Sequence, residues 1–89
     1  MLFKVLADPH RLAILAILAR SDEDVCVCEF TADLPLNQPT VSHHLRLLRE
    51  ADLVTAERRG TWSYYRLKPG VRARIIAALR RVVPESDVA

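Results

Sequence analysis

Apolar residues recur every three or four positions in several stretches of the chain, which is the spacing of an amphipathic α-helix. The pattern predicts a short helical turn over residues 2–6 and helices over residues 9–19, 25–34, about 38–52 and 71–83. The inner faces of the four longer helices are, in chain order, Leu12, Ile14, Leu15 and Leu18; Val27, Phe30 and Leu34; Val41, Leu45, Leu48 and Asp52; and Val71, Ile75, Ile76, Leu79, Val82 and Val83.

Polar capping residues and prolines mark the ends of these helices. Asp8 precedes a proline and is placed to cap the second helix, because its carboxylate accepts hydrogen bonds from the free N–H groups of a first turn. Asn37 or Gln38 is placed in the same way ahead of the next proline. Residues 35–37 therefore form a short break between two helices, and Pro84 ends the last helix.

The pattern changes to alternation after the fourth helix. Residues 53–57 and 62–67 alternate between apolar and polar side chains around Gly60, which predicts a β-hairpin with the glycine at its tip. Alternation also places the aromatic side chains of the second strand against the core, although aromatic rings beside basic residues also stack on nucleic-acid bases. These aromatic residues are Trp62, Tyr64 and Tyr65.

The order helix, short break, helix and hairpin predicts a winged helix-turn-helix, a mainly α fold with a three-helix core and a two-stranded wing. A length of 89 residues allows a single domain over residues 1–89. A domain of this size makes only a small core, and the apolar stripe of residues 71–83 is too broad for it. We therefore expect part of that helix to contact a second copy of the chain in a homodimer.

The net charge of +2 conceals a strong asymmetry along the chain. Residues 1–45 carry three basic and six acidic side chains, whereas residues 46–81 carry ten basic and three acidic ones. A basic segment attracts polyanions by releasing their counterions, and nucleic acid is the most common such partner. The alternative is an arginine-rich face that only contacts solvent.

The fourth helix is the element predicted to enter a major groove of double-stranded DNA. Short polar side chains in its first turns are placed to contact base edges, and arginines further along and at the hairpin tip are placed to contact phosphates. The candidate DNA-binding residues are Gln38, Thr40, Ser42, His43, Arg46, Arg49, Arg58 and Arg59. Capping and ordinary surface polarity are the alternatives for the first four.

Two further histidines differ from His43, which is predicted to face outward. His44 falls nearer the buried side of the fourth helix, so we expect it to be packed and hydrogen-bonded. His10, in the first turn of the second helix, carries no signal that the sequence alone interprets.

Four segments together resemble the ArsR/SmtB family of winged-helix repressors. They are residues 6–12 (LADPHRL), 38–48 (QPTVSHHLRLL), 51–54 (ADLV) and 59–67 (RGTWSYYRL). The resemblance covers nearly the whole chain and implies a homodimer that represses transcription from an operator and releases it when a toxic metal or metalloid binds. It also implies that the terminal helices form the dimer contact.

Cys26 and Cys28 resemble the thiol motif of the arsenic-responsive members of that family. Soft thiolates select soft ions such as As(III) or Sb(III), which would act as inducer, with no resident cofactor required. Side chains two residues apart on a helix diverge by about 200°. The predicted helix over residues 25–34 would therefore have to unwind before both sulfurs reached one atom.

The cysteine pair also departs from the family motif, because Thr31 stands where a third cysteine is expected. The third ligand would be an exogenous thiol or water, or there would be none. A family zinc site of histidines and carboxylates on the last helix is not expected, because residues 71–83 contain neither. The alternatives are a response to cadmium or lead, to oxidation, or to no ligand, and two small buried cysteines without a regulatory role.

The sequence does not indicate an enzyme, a membrane protein or a secreted protein. The sequence contains no nucleophile–base set and no glycine-rich phosphate loop, so it does not indicate an enzyme. Its longest apolar run is too short for a membrane span, and no signal peptide is evident, which predicts a cytoplasmic protein. In that reducing compartment the cysteines are expected to be thiols rather than a structural disulfide. A pure protein-interaction domain remains an alternative that would leave the basic segment unused.

Overall fold

The computed structural model describes residues 2–82, and the side chains of residues 4–81 among them. In chain order the elements are α1 (Leu2–Leu6), α2 (Pro9–Arg20), β1 (Val25–Cys26), α3 (Val27–Asp33), α4 (Gln38–Glu50), β2 (Val54–Arg59), β3 (Trp62–Leu67) and α5 (Val71–Val82).

Helix α2 begins at the predicted cap. The Oδ1 atom of Asp8 accepts hydrogen bonds from the backbone N–H groups of His10, at 2.8 Å, and Arg11, at 3.2 Å. The buried side chains of α2 are Ile14, Leu15, Ile17 and Leu18. The prediction that Leu12 lies on this inner face is wrong, since its side chain is 36% exposed. Leu12 lies about 140° around the helix from the middle of the buried face.

The predicted helix over residues 25–34 is divided in two, which corrects the sequence analysis. Val25 and Cys26 form a short strand that pairs with β3, and the helix begins only at Val27. Cys26 has extended backbone angles (φ −68°, ψ 144°) and is the N-cap of α3. Two residues are too few to show a strand period, so the hydrophobic pattern did not separate them from the helix that follows. Phe30 is fully buried, as predicted for the inner side of α3.

Helix α4 also has the predicted cap and buried face. The side chain of Asn37 accepts a hydrogen bond from the backbone N–H of Thr40, and Val41, Leu45 and Leu48 are fully buried. The helix ends at Glu50, so Asp52 does not belong to its inner face as predicted. Asp52 is exposed and has a positive φ of 65°, because the chain turns there before entering β2.

The sheet contains three antiparallel strands in the order β1-β3-β2, one more than predicted. Strands β2 and β3 form the hairpin, paired from Val54 opposite Leu67 to Arg59 opposite Trp62. Gly60 adopts a φ of 64° in the two-residue turn, which glycine tolerates without a steric penalty. Strand β1 adds to the other side of β3 and ties the wing to the start of α3.

Helix α5 buries only part of its apolar stripe. Val71, Ile75 and Ala78 are buried, whereas Ile76 is 44% exposed and Leu79 is 39% exposed. The predicted positions Val83 and Pro84 lie outside the described residues, as does the side chain of Val82. None of the helices within residues 2–82 is both long and apolar enough to cross a membrane.

The wing aromatics divide between the core and the surface. The rings of Tyr64 and Tyr65 are half-buried against the core, as expected, but Trp62 is 45% exposed beside the hairpin tip, which corrects its predicted place. Alternation is a weak guide there because the outer end of the hairpin extends beyond the core. Helices α2, α3 and α4 with this hairpin form the predicted winged helix-turn-helix, extended by β1.

Candidate nucleic-acid interface and cysteine site

The outer face of α4 presents the predicted polar side chains to solvent. Gln38, Ser42, His43, Arg46 and Arg49 are exposed, and Thr40 is partly exposed. They are held there because the opposite face of the same helix is locked into the core by its fully buried aliphatic residues. The exposed face therefore has a fixed orientation, which a DNA-recognition helix requires.

Arg46 is held between two neighbours on the same helix. Its Nη2 atom donates to Nδ1 of His43 at 2.9 Å, and its Nη1 atom lies 3.7 Å from Oε2 of Glu50. A guanidinium has no acceptor, so Nδ1 of His43 must accept, which places the proton of the neutral ring on Nε2. His43 therefore has one free N–H donor, a group suited to a base edge or a phosphate.

His44 is buried, as predicted, with 8% of its surface exposed. Burial lowers the pKa of His44 against the opposing effect of the Asp8 charge, so its ring is neutral at neutral pH. The predicted hydrogen bond is not found at Nδ1, which is buried and has no partner within the described part of the chain.

The two arginines at the wing tip differ in their surroundings. Arg58 is exposed, and its Nε atom donates to the carbonyl of Gly60 at 3.1 Å. Arg59 folds back instead: it forms ion pairs with Asp24 and Glu57 and lies over the ring of Tyr64, 4.6 Å from the centroid. Of these two neighbouring arginines, Arg58 is thus directed to solvent and Arg59 is bound to the wing itself.

Asp24 is the acidic centre of this arrangement. Its carboxylate also accepts from Arg66, with Nε of the arginine 2.8 Å from Oδ1. Partial burial raises the pKa of Asp24, but the hydrogen bonds from Arg66 and Arg59 outweigh that effect and hold the pKa below its usual value. Asp24 stands directly before β1, so it links the segment that carries the cysteines to both wing strands.

The two cysteines lie side by side at the start of α3. Their Cα atoms are 5.2 Å apart and the two sulfurs are joined in a disulfide, which corrects the prediction of free thiols. It also corrects the expectation that the side chains diverge by helix geometry. Cys26 is an extended capping residue outside the helix, so its sulfur reaches Cys28 without any unwinding of α3.

The surroundings of the two sulfurs are unequal. Cys26 is buried in the strand, and its Sγ accepts from the backbone N–H of Cys28 at 3.3 Å, while Cys28 itself is exposed. Thr31, at the position of the missing third cysteine, donates its hydroxyl to the carbonyl of Cys28 at 2.9 Å. The pair is thus accessible from the Cys28 side, and the Thr31 hydroxyl is already used by the backbone.

The fold brings together two groups of residues that the sequence did not predict to be in contact. Asp24 meets Arg59 and Arg66 across 35 and 42 residues of chain, and Asp8 and His10 meet His44 on α4. Such long-range contacts leave no periodic signal. The sequence signal for the ion pairs was the uneven distribution of charge, because residues 1–45 are mainly acidic and residues 46–81 mainly basic.

Helix α4 and the two cysteines both lie in the part of the chain that matches a known protein family. Residues 8–56, which span both, match the family model described as "Bacterial regulatory protein, arsR family". The chain belongs to the arsR family. Family members are DNA-binding regulators rather than enzymes, in agreement with the sequence-based interpretation.

Several curated relatives of this arsR-family chain are regulators of arsenic resistance. An arsenic resistance transcriptional regulator of Pseudomonas putida is 47% identical over 81 residues, which is 91% of this chain and 62% of that protein. An arsenical resistance operon repressor of Escherichia coli is 44% identical over 81% of this chain and 61% of its own length. The chain therefore spans about three fifths of the length of these two relatives.

Solved structures agree on the fold. The homodimeric winged helix-turn-helix DNA-binding domain of a possible ArsR-family transcriptional regulator from Mycobacterium bovis superposes with a TM-score of 0.76. It is 35% identical, and the match covers 93% of this chain and 75% of that one. The predicted fold class and family resemblance are confirmed.

Proposed function

We propose that this arsR-family protein is a transcriptional repressor that binds operator DNA as a homodimer and releases it when As(III) or Sb(III) binds Cys26 and Cys28. The observation that carries the proposal is the position of the cysteine pair: it lies on a strand hydrogen-bonded to the wing and at the start of the helix that precedes the recognition helix. Relatives of this chain are named arsenic resistance regulators.

The DNA-binding surface consists of α4 and the wing tip. Helix α4 enters the major groove, where Gln38, Thr40, Ser42 and His43 contact base edges. Phosphate contacts come from the arginines that lie further along α4 and at the hairpin tip, Arg46, Arg49, Arg58 and Arg59. Base contacts give sequence preference, while phosphate contacts give affinity and its salt dependence.

Arg59 differs from the other arginines of this surface because it is held by two carboxylates of its own chain. Its guanidinium is already bound by Asp24 and Glu57, so a phosphate would have to share or displace these carboxylates. Arg58 has no carboxylate partner within the described residues and is therefore the stronger phosphate ligand. We assign Arg59 mainly to holding the wing against the segment before β1.

The dimer forms through the exposed apolar side chains of α5 and α2. Ile76 and Leu79 on α5, and Leu12 on α2, are large aliphatic side chains more than one-third exposed. Burying such side chains contributes about 1.5–3 kcal/mol each when burial is complete. The Mycobacterium bovis relative is described as homodimeric, which supports the same assembly here.

Binding of the metalloid is a condensation of the reduced cysteine pair with arsenous acid. Two S–H groups replace two hydroxyl groups on As(III), two As–S bonds form, and two water molecules leave, with no change of oxidation state. The third position on arsenic keeps its hydroxyl group or takes an exogenous thiol, because Thr31 donates its hydroxyl to the backbone. The 5.2 Å between the Cα atoms already brings both sulfurs within reach of one atom.

The contacts around β1 explain how an occupied pair weakens DNA binding. A metalloid bound to the sulfurs removes Cys26 Sγ as acceptor for the backbone N–H of Cys28 and so alters the cap at which β1 passes into α3. Cys26 lies opposite Tyr64 of β3, and Asp24 binds Arg59 and Arg66, so the change extends into both wing strands. The duplex favours the undisturbed wing and the metalloid favours the altered one, which is the differential binding that coupling requires.

A second candidate input is oxidation, because the two sulfurs are joined in this structure. In that case a peroxide takes two electrons and two protons from the dithiol, a disulfide forms, and the peroxide is reduced to water or an alcohol. The same strand and ion pairs would carry the signal to the wing. The two inputs differ in their reagent and in their reversal by a reductant.

The test measures release of a duplex by each input. A duplex of about 30 bp is selected from a random pool with the reduced protein, long enough for two half-sites about one helical turn apart. Fluorescence anisotropy then follows the complex during titration with arsenite, antimonite, Cd²⁺, Pb²⁺ or hydrogen peroxide in a thiol-free buffer that contains a phosphine reductant, omitted for peroxide. The reduced protein and the Cys26→Ser/Cys28→Ser variant are compared.

We expect arsenite to release the reduced protein and to leave the double variant bound. Serine is a good N-cap, so the variant keeps the start of α3 and its DNA affinity. Release by peroxide alone would favour the redox input, and release by Cd²⁺ or Pb²⁺ alone another soft ion. Arsenite-driven release of the double variant would show that the pair is not the metalloid site.

A further inference from the structure

A cluster of three metal-ligating side chains lies away from the cysteines, at the contact between α2 and α4. Asp8, His10 and His44 each offer one ligand atom, and these atoms all lie within 4.8 Å of one another. The rings of His10 and His44 meet edge to face, with centroids 5.5 Å apart. None of these residues belongs to the recognition surface or to the cysteine pair.

The fold fixes two of the three side chains. Asp8 is held by the two backbone N–H groups that it caps, both through Oδ1, which leaves Oδ2 as a free ligand oxygen. His44 is held by burial on the inner flank of α4. His10 is exposed in the first turn of α2 and is free to rotate its ring toward the other two.

The second observation is the buried imidazole itself. His44 is more than nine-tenths buried, and its Nδ1 atom has no hydrogen-bond partner within the described residues. A polar atom left in this way destabilises the folded protein, and such atoms are usually satisfied by a water, an ion or a functional contact. His44 thus carries unused coordinating capacity beside two other ligands.

We propose that Asp8, His10 and His44 bind a divalent transition-metal ion of the Zn²⁺ class. Two imidazole nitrogens and one carboxylate oxygen suit Zn²⁺, Ni²⁺ or Co²⁺, and a water completes the coordination. Ligand atoms around tetrahedral zinc are roughly 3.4 Å apart. The ligand atoms therefore have to approach one another by at most about 1.4 Å when the ion binds, and the exposed His10 ring is the ligand that can move most readily.

The position of the site determines what the ion does. Asp8 and His10 stand at the start of α2 and His44 in the middle of α4, so a shared ion cross-links the recognition helix to the helix on which it packs. Arg11 and the positive end of α2 oppose a cation here, so the affinity should be moderate. The site is distinct from the cysteines and acts independently of the proposed metalloid response.

The experiment uses Zn²⁺ and Co²⁺ as probes and does not involve DNA. Zinc binding is measured by isothermal titration and by thermal unfolding, and cobalt binding by its visible absorption. The proteins are the wild type and the Cys26→Ser/Cys28→Ser variant, in which thiolate binding is impossible. His10→Gln and Asp8→Asn are then introduced into the double variant, with His43→Gln as the matched control, since His43 is an exposed histidine of α4 outside the cluster.

We expect the double variant to bind one Zn²⁺ per chain and to gain about 5 °C or more in Tm at saturation, since an ion that binds only the folded chain stabilises it. His10→Gln should weaken zinc binding at least tenfold. Asp8→Asn should do the same while keeping the metal-free Tm, because asparagine also caps a helix. His43→Gln should bind as the double variant does.

Three results would overturn the proposal. The double variant could show no zinc binding, which would place any metal at the cysteines. His10→Gln could bind zinc with unchanged affinity, or His43→Gln could lose it to the same extent as His10→Gln. Because the readout uses neither operator nor thiols, failure here leaves the proposed repressor function untouched, and failure of that function leaves this site untouched.

Discussion

Cys26 lies directly opposite Tyr64 in the antiparallel pairing of β1 with β3. The ring of Tyr64 carries the guanidinium of Arg59, which in turn is bound by Asp24, two residues before Cys26. The cysteine pair and the wing are therefore joined twice, by backbone pairing and by an ion-pair cluster. This arrangement makes the cysteine segment a structural part of the wing.

The ion-pair cluster predicts an acid-sensitive contribution to stability. The pKa of Asp24 is lower in the folded protein than in the unfolded chain, so its contribution is present above the ordinary aspartate pKa near 3.9 and is lost as the pH falls through the folded value. Asp24→Asn should flatten the fall in the free energy of unfolding between about pH 5 and pH 3. Urea unfolding across that range measures it, with Asp22→Asn, an exposed acid in the same loop, as control. Equal pH profiles for the two variants would contradict the assignment.

Removal of Arg58 from the wing tip should weaken DNA binding without regard to sequence. If Arg58 contacts a phosphate as proposed, Arg58→Ala should remove that contact, and binding to selected and random duplexes should fall by similar factors. The slope of log affinity against log salt should decrease in magnitude by about 1. Arg74→Ala removes the same charge from the exposed side of α5 and should keep the wild-type slope. An unchanged slope for Arg58→Ala would remove this residue from the interface.

Substitutions in the first turns of α4 should reduce discrimination instead. Gln38→Ala or Ser42→Ala should lower the ratio of selected to random duplex affinity about tenfold, because a good base contact contributes about 1–3 kcal/mol of discrimination. Competition binding measures the ratio. Glu29→Gln, an exposed polar change on α3, is the control. Equal losses on both duplexes would count against base contacts by these side chains.

A charge on the uncovered face of α5 should separate the dimer. Ile76→Glu should raise the dimer dissociation constant at least about 100-fold, because burial of an unpaired carboxylate costs several kcal/mol. Sedimentation velocity over a concentration series measures this. Ala77→Glu places the same charge on an exposed residue about 100° further round the helix and should remain dimeric. A dimeric Ile76→Glu protein would locate the interface elsewhere.

The hydrophobic pattern predicted the elements that have a clear period and missed those that do not. Helices α2, α4 and α5 are where the sequence placed them because each has several turns of regularly spaced apolar residues, and the hairpin is where the sequence placed it because Gly60 marks its turn. Strand β1 has only two residues, so its pairing with β3 left no pattern. Because β1 was not predicted, Cys26 was assigned to the helix instead of to its N-cap. The two cysteine side chains were therefore predicted to diverge, whereas they lie side by side.

Site residues were predictable where one element carries them. The exposed face of α4 follows from its buried face, so Gln38, Ser42 and Arg46 were placed correctly on the surface. The pairing of Arg59 with Asp24 depends on two segments 35 residues apart, and the sequence therefore gave no reason to separate Arg59 from Arg58. Their roles in DNA binding remain predictions.

The central claim is that a metalloid on the cysteine pair and a duplex on α4 oppose each other. Linkage requires the opposition to be reciprocal, so the most direct measurement is the affinity of the reduced protein for arsenite with and without saturating duplex. We predict that the duplex weakens arsenite binding by the same factor by which arsenite weakens duplex binding. Equal arsenite affinities in the two conditions, with arsenic bound to both cysteines, would contradict the account.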